Sequence, residues 1–164
     1  MPGFELIGNE EKKAVEKVFN EGGVLFAHGF ESIRKKFHVR EFEKMCSKKF
    51  KCKHSLSVSS GTAAIKIALK ALNVGPGDEV ITQAFNFIAT IEAILDVKAK
   101  PIIANVDDTL NINVSEIQKL ISTKTKVILP VHMLGISVDM DGINKIAKKN
   151  NLKILEDNCE SVGA

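Results

Sequence analysis

Three groups of residues carry the chemistry open to this sequence. The first is the small-residue turn Ser59-Ser60-Gly61-Thr62-Ala63. Gly61 lets the backbone turn sharply or approach a ligand closely. Ser60 or Thr62 is suited to cap a helix, whose first N–H groups and positive dipole end then face outward and suit a phosphate. The second is Phe85 and Phe87, whose rings can stack on a flat ligand. The third is Asp157, a carboxylate able to pair with a protonated ring nitrogen. Pyridoxal phosphate needs this set, because its electron sink works best with a carboxylate partner on the pyridinium. Each piece also has an ordinary reading. The turn is explained by capping, Phe87 by core packing, Asp157 by a turn or cap, and His132 by a satisfied polar role. What joins them is their order along one sheet edge.

Periodicity supplies the elements that must bring them together. Leu56 to Ser59 reads as a short strand. In the helix after it, Ile65, Ala68, Leu69 and Leu72 keep an i, i+3, i+4, i+7 spacing. Asn73 to Asp78 is a turn rich in Gly and Pro. A buried strand over Glu79–Thr82 comes next, then a helix over Asn86–Leu95 with Ile88, Ile91 and Leu95 inward. Pro101–Val106 is the next strand, with proline at its start. Asn113 and Glu116 form a capping-box pair for a helix to Ile121. Val127–Val131 is a strand, Asp139 caps a helix to about Lys149, and Lys153–Glu156 is the last strand. Such alternation implies a three-layer αβα fold on a mostly parallel sheet, with right-handed crossovers. All carboxyl ends then share one edge, where ligands bind. Ser59–Thr62, Gln83–Phe87, Asp107-Asp108, His132–Gly135 and Asp157–Glu160 leave the strands there.

Upstream, Met1 to Gly8 reads as extended. Asn9 caps a helix over Glu10–Asn20 with Ala14, Val15, Val18 and Phe19 on its apolar face. Glu21-Gly22-Gly23 stops it, and Val24 to Phe30 has no clear period. Phe37, Phe42, Met45 and Cys46 predict a second helix over Ser32–Lys49. Residues 1–54 therefore form an N-terminal helical segment, and 55–164 the α/β part.

The 164 residues suit one compact domain, and no apolar run is long enough to span a membrane. The N-terminus lacks a secretory pattern, and Cys46, Cys52 and Cys159 are an odd set without zinc spacing. They read as reduced thiols of a cytoplasmic protein, incidental rather than nucleophilic. His28, His38 and His54 offer no metal pairing. The basic stretch Arg34–Lys53 is broken by Glu41 and Glu43 and carries no aromatic platform, so a solvated face fits better than a nucleic-acid site.

Against this background a family resemblance stands out. The matching motifs are Ser59-Ser60-Gly61-Thr62-Ala63, Gly75-Pro76-Gly77-Asp78-Glu79-Val80-Ile81-Thr82, Phe85-Asn86-Phe87-Ile88-Ala89-Thr90, Pro130-Val131-His132-Met133-Leu134-Gly135, Asp139-Met140-Asp141 and Glu156-Asp157-Asn158-Cys159-Glu160-Ser161. From about Leu56 to Ala164 the chain resembles the N-terminal half of the large domain of the DegT/DnrJ/EryC1/StrS sugar aminotransferases, of fold type I. The first fifty or so residues resemble the family's leading helices, with a less typical portion at Val24–Val39. The resemblance implies pyridoxal 5′-phosphate, or pyridoxamine 5′-phosphate, as cofactor. It implies that the Gly61, Thr62 and Ala63 turn holds the phosphate through backbone N–H groups, that Phe87 stacks on the ring and that Asp157 binds the pyridinium nitrogen. Glu160 lies where the family often has Gln or His near the phenolic oxygen. An acidic residue there resembles the subset that includes some keto-sugar dehydratases.

The family's Schiff-base lysine lies well downstream of the Asp157 motif and is not among these residues, nor is the small C-terminal domain. Lys126 and Lys153 match no such motif. The expectation is part of an aminotransferase that moves an amino group, with glutamate as donor, onto a nucleotide-linked keto sugar in cell-surface polysaccharide or amino-sugar biosynthesis. It would work as a homodimer, with no nucleic acid or membrane partner, and this piece alone would not sustain transamination. The alternatives are a keto-sugar dehydratase using the amine form of the cofactor, and a catalytically inactive binding or regulatory module. A plain dinucleotide fold is the weakest rival, because no Gly-x-Gly-x-x-Gly follows a strand.

Overall fold

The computed structural model describes residues 4–27, 29–34 and 36–164. His28 and the extended reading of Met1–Gly3 therefore lie outside the described residues. The chain divides into two compact units, Met1–Ser57 and Val58–Ala164.

In the first unit a 3₁₀ turn at Phe4–Leu6 precedes helices α1, Asn9–Asn20, and α2, His38–Lys49. The cap of α1 is Gly8, one residue earlier than expected from Asn9, because Glu11 reaches back to accept the Gly8 N–H at 2.7 Å. That backbone bond holds the Glu11 carboxyl below its ordinary pKa. Helix α2 starts six residues later than the predicted Ser32. The Arg34 guanidinium donates instead to the carbonyls of Phe26 and Ala27, and the Phe37 ring lies 4.2 Å from Arg34 and 4.3 Å from Arg40. These contacts hold the segment in a non-helical path.

The second unit is built on a four-stranded parallel sheet in the order β2-β1-β3-β4. The strands are β1, Glu79–Gln83; β2, Lys100–Ala104; β3, Thr125–Leu129; and β4, Lys153–Ile154. The helices are α3, Gly61–Ala71; α4, Ile88–Asp96; α5, Val114–Leu120; and α6, Met140–Asn150. The crossover through α4 steps outward from β1 to β2, and those through α5 and α6 run the other way. Crossovers of one hand that run in opposite directions place their helices on opposite faces. Accordingly, Leu69 of α3 and Ala93 and Ile94 of α4 pack with Val80, Val127 and Leu129 on one face. Ile117 of α5 and Ile143 and Ala147 of α6 pack with Ile81 and Ile128 on the other. The three layers match the expected architecture.

Several details differ from the sequence-based expectation. Leu56 to Ser59 is not a strand: it lies in no ladder, and Leu56 is 66% exposed. A strand exists only where a neighbour completes its hydrogen bonds, and none does so here among the described residues. Helix α4 begins two residues later than expected and buries Ala89, Thr90, Ala93 and Ile94, leaving Ile88 and Leu95 exposed. Small side chains permit the close approach to sheet and α3, so the bulkier ones flank the contact. Pro101 falls second in β2, an edge strand, where its missing N–H does least harm. Asn113 does cap α5, but Glu116 turns away from the capping box to accept the Asn105 backbone N–H and side-chain amide. Strand β3 ends at Leu129 and β4 at Ile154, with the Val131–Asp157 bridge carrying their pairing one step further.

Candidate functional site

The site lies at the carboxyl edge, beside the point where the strand order reverses. In sheets of this kind the crevice opens there. Ser60 caps α3, and its hydroxyl accepts the Ala63 N–H at 3.1 Å. An α-helix leaves its first N–H groups without intrahelical partners. With Ala63 capped, those of Gly61 and Thr62 are left to face an anion. A methyl group on Gly61 would sit 3.3 Å from Cys159 Sγ, so the turn runs directly beside the loop after β4.

Asp157 lies on that loop. Its backbone is locked to the end of β3: its N–H donates to Pro130 O and its carbonyl accepts from His132 N, both at 3.0 Å. Its side chain is held as firmly. Oδ1 accepts the Cys159 N–H at 3.1 Å, and Oδ2 accepts the Thr90 hydroxyl at 3.3 Å. The Asp157 carboxylate, with burial and the nearby Glu160, pushes the Cys159 thiol up to about 11. Asp157 is only 8% exposed, and among the described residues no cation pairs with it. A buried carboxylate held only by uncharged donors is costly, and it gains strongly from a cationic ligand.

The remaining predicted residues lie on loops of the same edge. Phe87 is the N-cap of α4 and is 72% exposed, which disposes of a core role. Its carbonyl accepts from Thr90 N, so Thr90 links the aromatic to the carboxylate. Phe85 is nearly half exposed in the same loop. Glu160 Oε2 accepts the Leu134 N–H at 3.1 Å. Leu134 and Gly135 both have positive φ, and the turn is further pinned by Gly135 N–H to Ser161 Oγ and by Ser161 Oγ to His132 O.

His132 is the satisfied polar residue its ordinary reading predicts. Its Nδ1 accepts the Val138 N–H at 3.0 Å, which leaves Nε2–H to donate to Glu156 at 3.3 Å. Gln83, at the end of β1, is fully buried. Its Nε2 donates to Phe85 O at 3.0 Å and its Oε1 accepts Val131 N–H at 3.1 Å. Asn111 accepts Met133 N–H and donates to Ile136 O. Sequence reasoning assigns no role to Gln83, Thr90, Asn111 or Ser161. The one available signal is a hydroxyl, Thr90, on the small apolar face of α4.

These residues fit a phosphorylated pyridine. Backbone donors suit the phosphate, an exposed ring suits the heterocycle's face, and a buried carboxylate without a cation suits the ring N–H⁺. The one rearrangement is that Ser60 holds the Ala63 N–H predicted to face the phosphate.

The sequence profile of the DegT/DnrJ/EryC1/StrS aminotransferase family matches residues 6–164. A relative from Acidithiobacillus ferrooxidans, UDP-N-acetyl-3-dehydro-alpha-D-glucosamine 3-aminotransferase, is 45% identical over 112 residues, 68% of this chain and 30% of the relative. The aminotransferase from Psychrobacter cryohalolentis superimposes with a TM-score of 0.87 at 34% identity, over 96% of this chain and 38% of that one. E. coli GDP-4-keto-6-deoxy-D-mannose-3-dehydratase with bound hydrated PLP gives a TM-score of 0.82 at 30% identity, over 96% and 40%. The chain thus spans 30 to 40% of the length of these proteins.

Proposed function

The chain belongs to the DegT/DnrJ/EryC1/StrS aminotransferase family, and from that premise we propose that it forms the cofactor-holding part of an enzyme that aminates a nucleotide-linked keto sugar. The cofactor is pyridoxal 5′-phosphate or its amine form, the donor is glutamate, and the working unit is a cytoplasmic homodimer. When bound, the cofactor supplies an electron sink for the carbon that exchanges its amino group.

This chain's residues prepare that sink. The Gly61 and Thr62 N–H groups, at the positive end of α3, bind the phosphate. Phe87 covers one face of the ring and excludes water from it. Asp157 holds a proton on the ring nitrogen, its carboxylate oriented by the Thr90 hydroxyl and the Cys159 backbone N–H. The Cys159 thiol, pushed up to about 11, is neutral and takes no part as a nucleophile. Glu160, steadied by the Leu134 N–H, would meet the cofactor's phenolic oxygen. The observation that carries the reading is the buried carboxylate of Asp157, on the loop whose Cys159 lies against the Gly61 turn, with no cation paired to it among the described residues.

Glu160 favours a second reading, a keto-sugar dehydratase, because an acid replaces the amide or imidazole usual there. Calorimetric titration with pyridoxamine 5′-phosphate tests the shared premise, since that ligand needs no lysine. Saturable binding is expected, weakened about 10- to 100-fold in Asp157→Asn by loss of a charged hydrogen bond. Equal affinity in wild type and variant would overturn the reading. Incubating the whole enzyme with glutamate and a nucleotide-linked keto sugar separates the two readings: an amino sugar indicates the first, a deoxygenated keto sugar the second.

A further inference from the structure

Thr90 is 1% exposed on the first turn of α4, where the buried positions around it are Ala89, Ala93 and Ile94. A hydroxyl in such a place costs stability unless it is bonded. It has one side-chain bond among the described residues, to Asp157 Oδ2 at 3.3 Å, across 67 positions of sequence. Its own N–H meanwhile donates to Phe87 O at 3.2 Å.

One residue therefore touches both the segment that carries the exposed aromatic and the buried carboxylate. The other carboxylate oxygen is tied within its own loop, by the Cys159 N–H. Among the described residues, Thr90 supplies the side-chain hydrogen bond that ties the Asp157 carboxylate to α4. We propose that Thr90 is a positioning residue: it sets the Asp157 carboxylate relative to Phe87, so that one planar heterocycle meets both. This deepens the cofactor reading above and rests on it. The 3.3 Å separation exceeds the roughly 2.7 Å of a relaxed hydroxyl–carboxylate bond.

Thr90→Val keeps the shape and removes the hydroxyl, and Thr90→Ser restores it. In the intact protein, Thr90→Val is expected to weaken pyridoxamine 5′-phosphate about tenfold, leave inorganic phosphate affinity unchanged, and show less protonation of a ¹⁵N-labelled ring nitrogen. Thr90→Ser should return all three towards wild type. An unchanged affinity and ring signal in Thr90→Val, or no rescue by serine, would overturn the proposal. The Asp157 carboxyl ¹³C resonance of the cofactor-free protein is read in parallel. It should move in Thr90→Val and return in Thr90→Ser. If wild type binds no cofactor, the cofactor reading fails. This resonance then decides the Thr90 contact by itself, and a resonance that stays put overturns it.

Discussion

The two units use the same amphipathic helix pattern and end in different states. Helices α1 and α2 of the first unit bury no residue at all, and Val15, Phe19, Phe42 and Met45 of their apolar faces are exposed. A hollow of about 300 Å³ lies among Val18, Phe19, Leu25, Phe26 and Arg34. In the second unit α3, α4, α5 and α6 press on a sheet, and Leu69, Ile94, Ile117 and Ile143 are fully buried. Spacing tells a helix which face is apolar; it does not say what will cover that face. A parallel sheet offers two flat surfaces and settles the matter for four helices at once.

The largest effect should separate the units. Ile128→Ala, at the centre of the sheet, is expected to cost about 2–5 kcal/mol by lost burial and the cavity left behind. It would be read as a fall in the denaturant midpoint of the second unit. Phe42→Ala in α2 should stay within about 0.5 kcal/mol, as surface substitutions usually do. Equal costs would break the contrast, because the face of α2 would then be covered as well as the sheet is.

The helix caps extend the comparison on a smaller scale. Ser60→Ala should lower stability by about 1 kcal/mol through loss of the α3 cap. It also returns the Ala63 N–H to the anion, so pyridoxamine 5′-phosphate affinity should not fall. A drop in affinity without a drop in stability would mean that the Ser60 hydroxyl itself binds the phosphate.

The smallest effect is one of acidity. The Lys126 ammonium, 2.9 Å away, and the Gly75 N–H hold the Asp78 carboxyl below its ordinary value of 3.8. A depressed carboxylate stabilises fully above its unfolded value and loses that contribution as pH falls through its folded value. Acid titration of the second unit should therefore show a loss beginning near pH 3.8 and continuing lower. Asp78→Asn should flatten it. An unchanged acid limb would assign the loss to other carboxylates, Asp107 first, which its bonds to Thr109 also hold low.

How far the molecule is legible in its sequence depends on the range of the forces involved. Helix α3, the turn at Gly61 and the alternation of strand and helix from Glu79 onward follow from local spacing, and they are readable. The end of α2 is readable and its start is not, because Arg34 and Phe37 form their contacts outside any period. The buried face of α4 differs from expectation because large apolar residues look inward by composition, whereas close packing selects Ala89 and Ala93. Asp157 is found through its position after a strand. Thr90, which holds it, is invisible because nothing local marks a bond between residues so distant in sequence. Leu56 to Ser59 looks like a strand because composition records what a segment can pair with, not whether a partner is there.

At Gln83 a single side chain takes over a backbone duty. Strand β1 stops at this residue, yet the Val131 N–H beyond the end of β3 still meets an oxygen, supplied by the Gln83 amide. The other end of that amide holds Phe85 O. A rung of the ladder is thus made of side chain. Its opening should track rotation of a single amide rather than melting of the sheet, and Val131 would exchange its proton on a clock of its own.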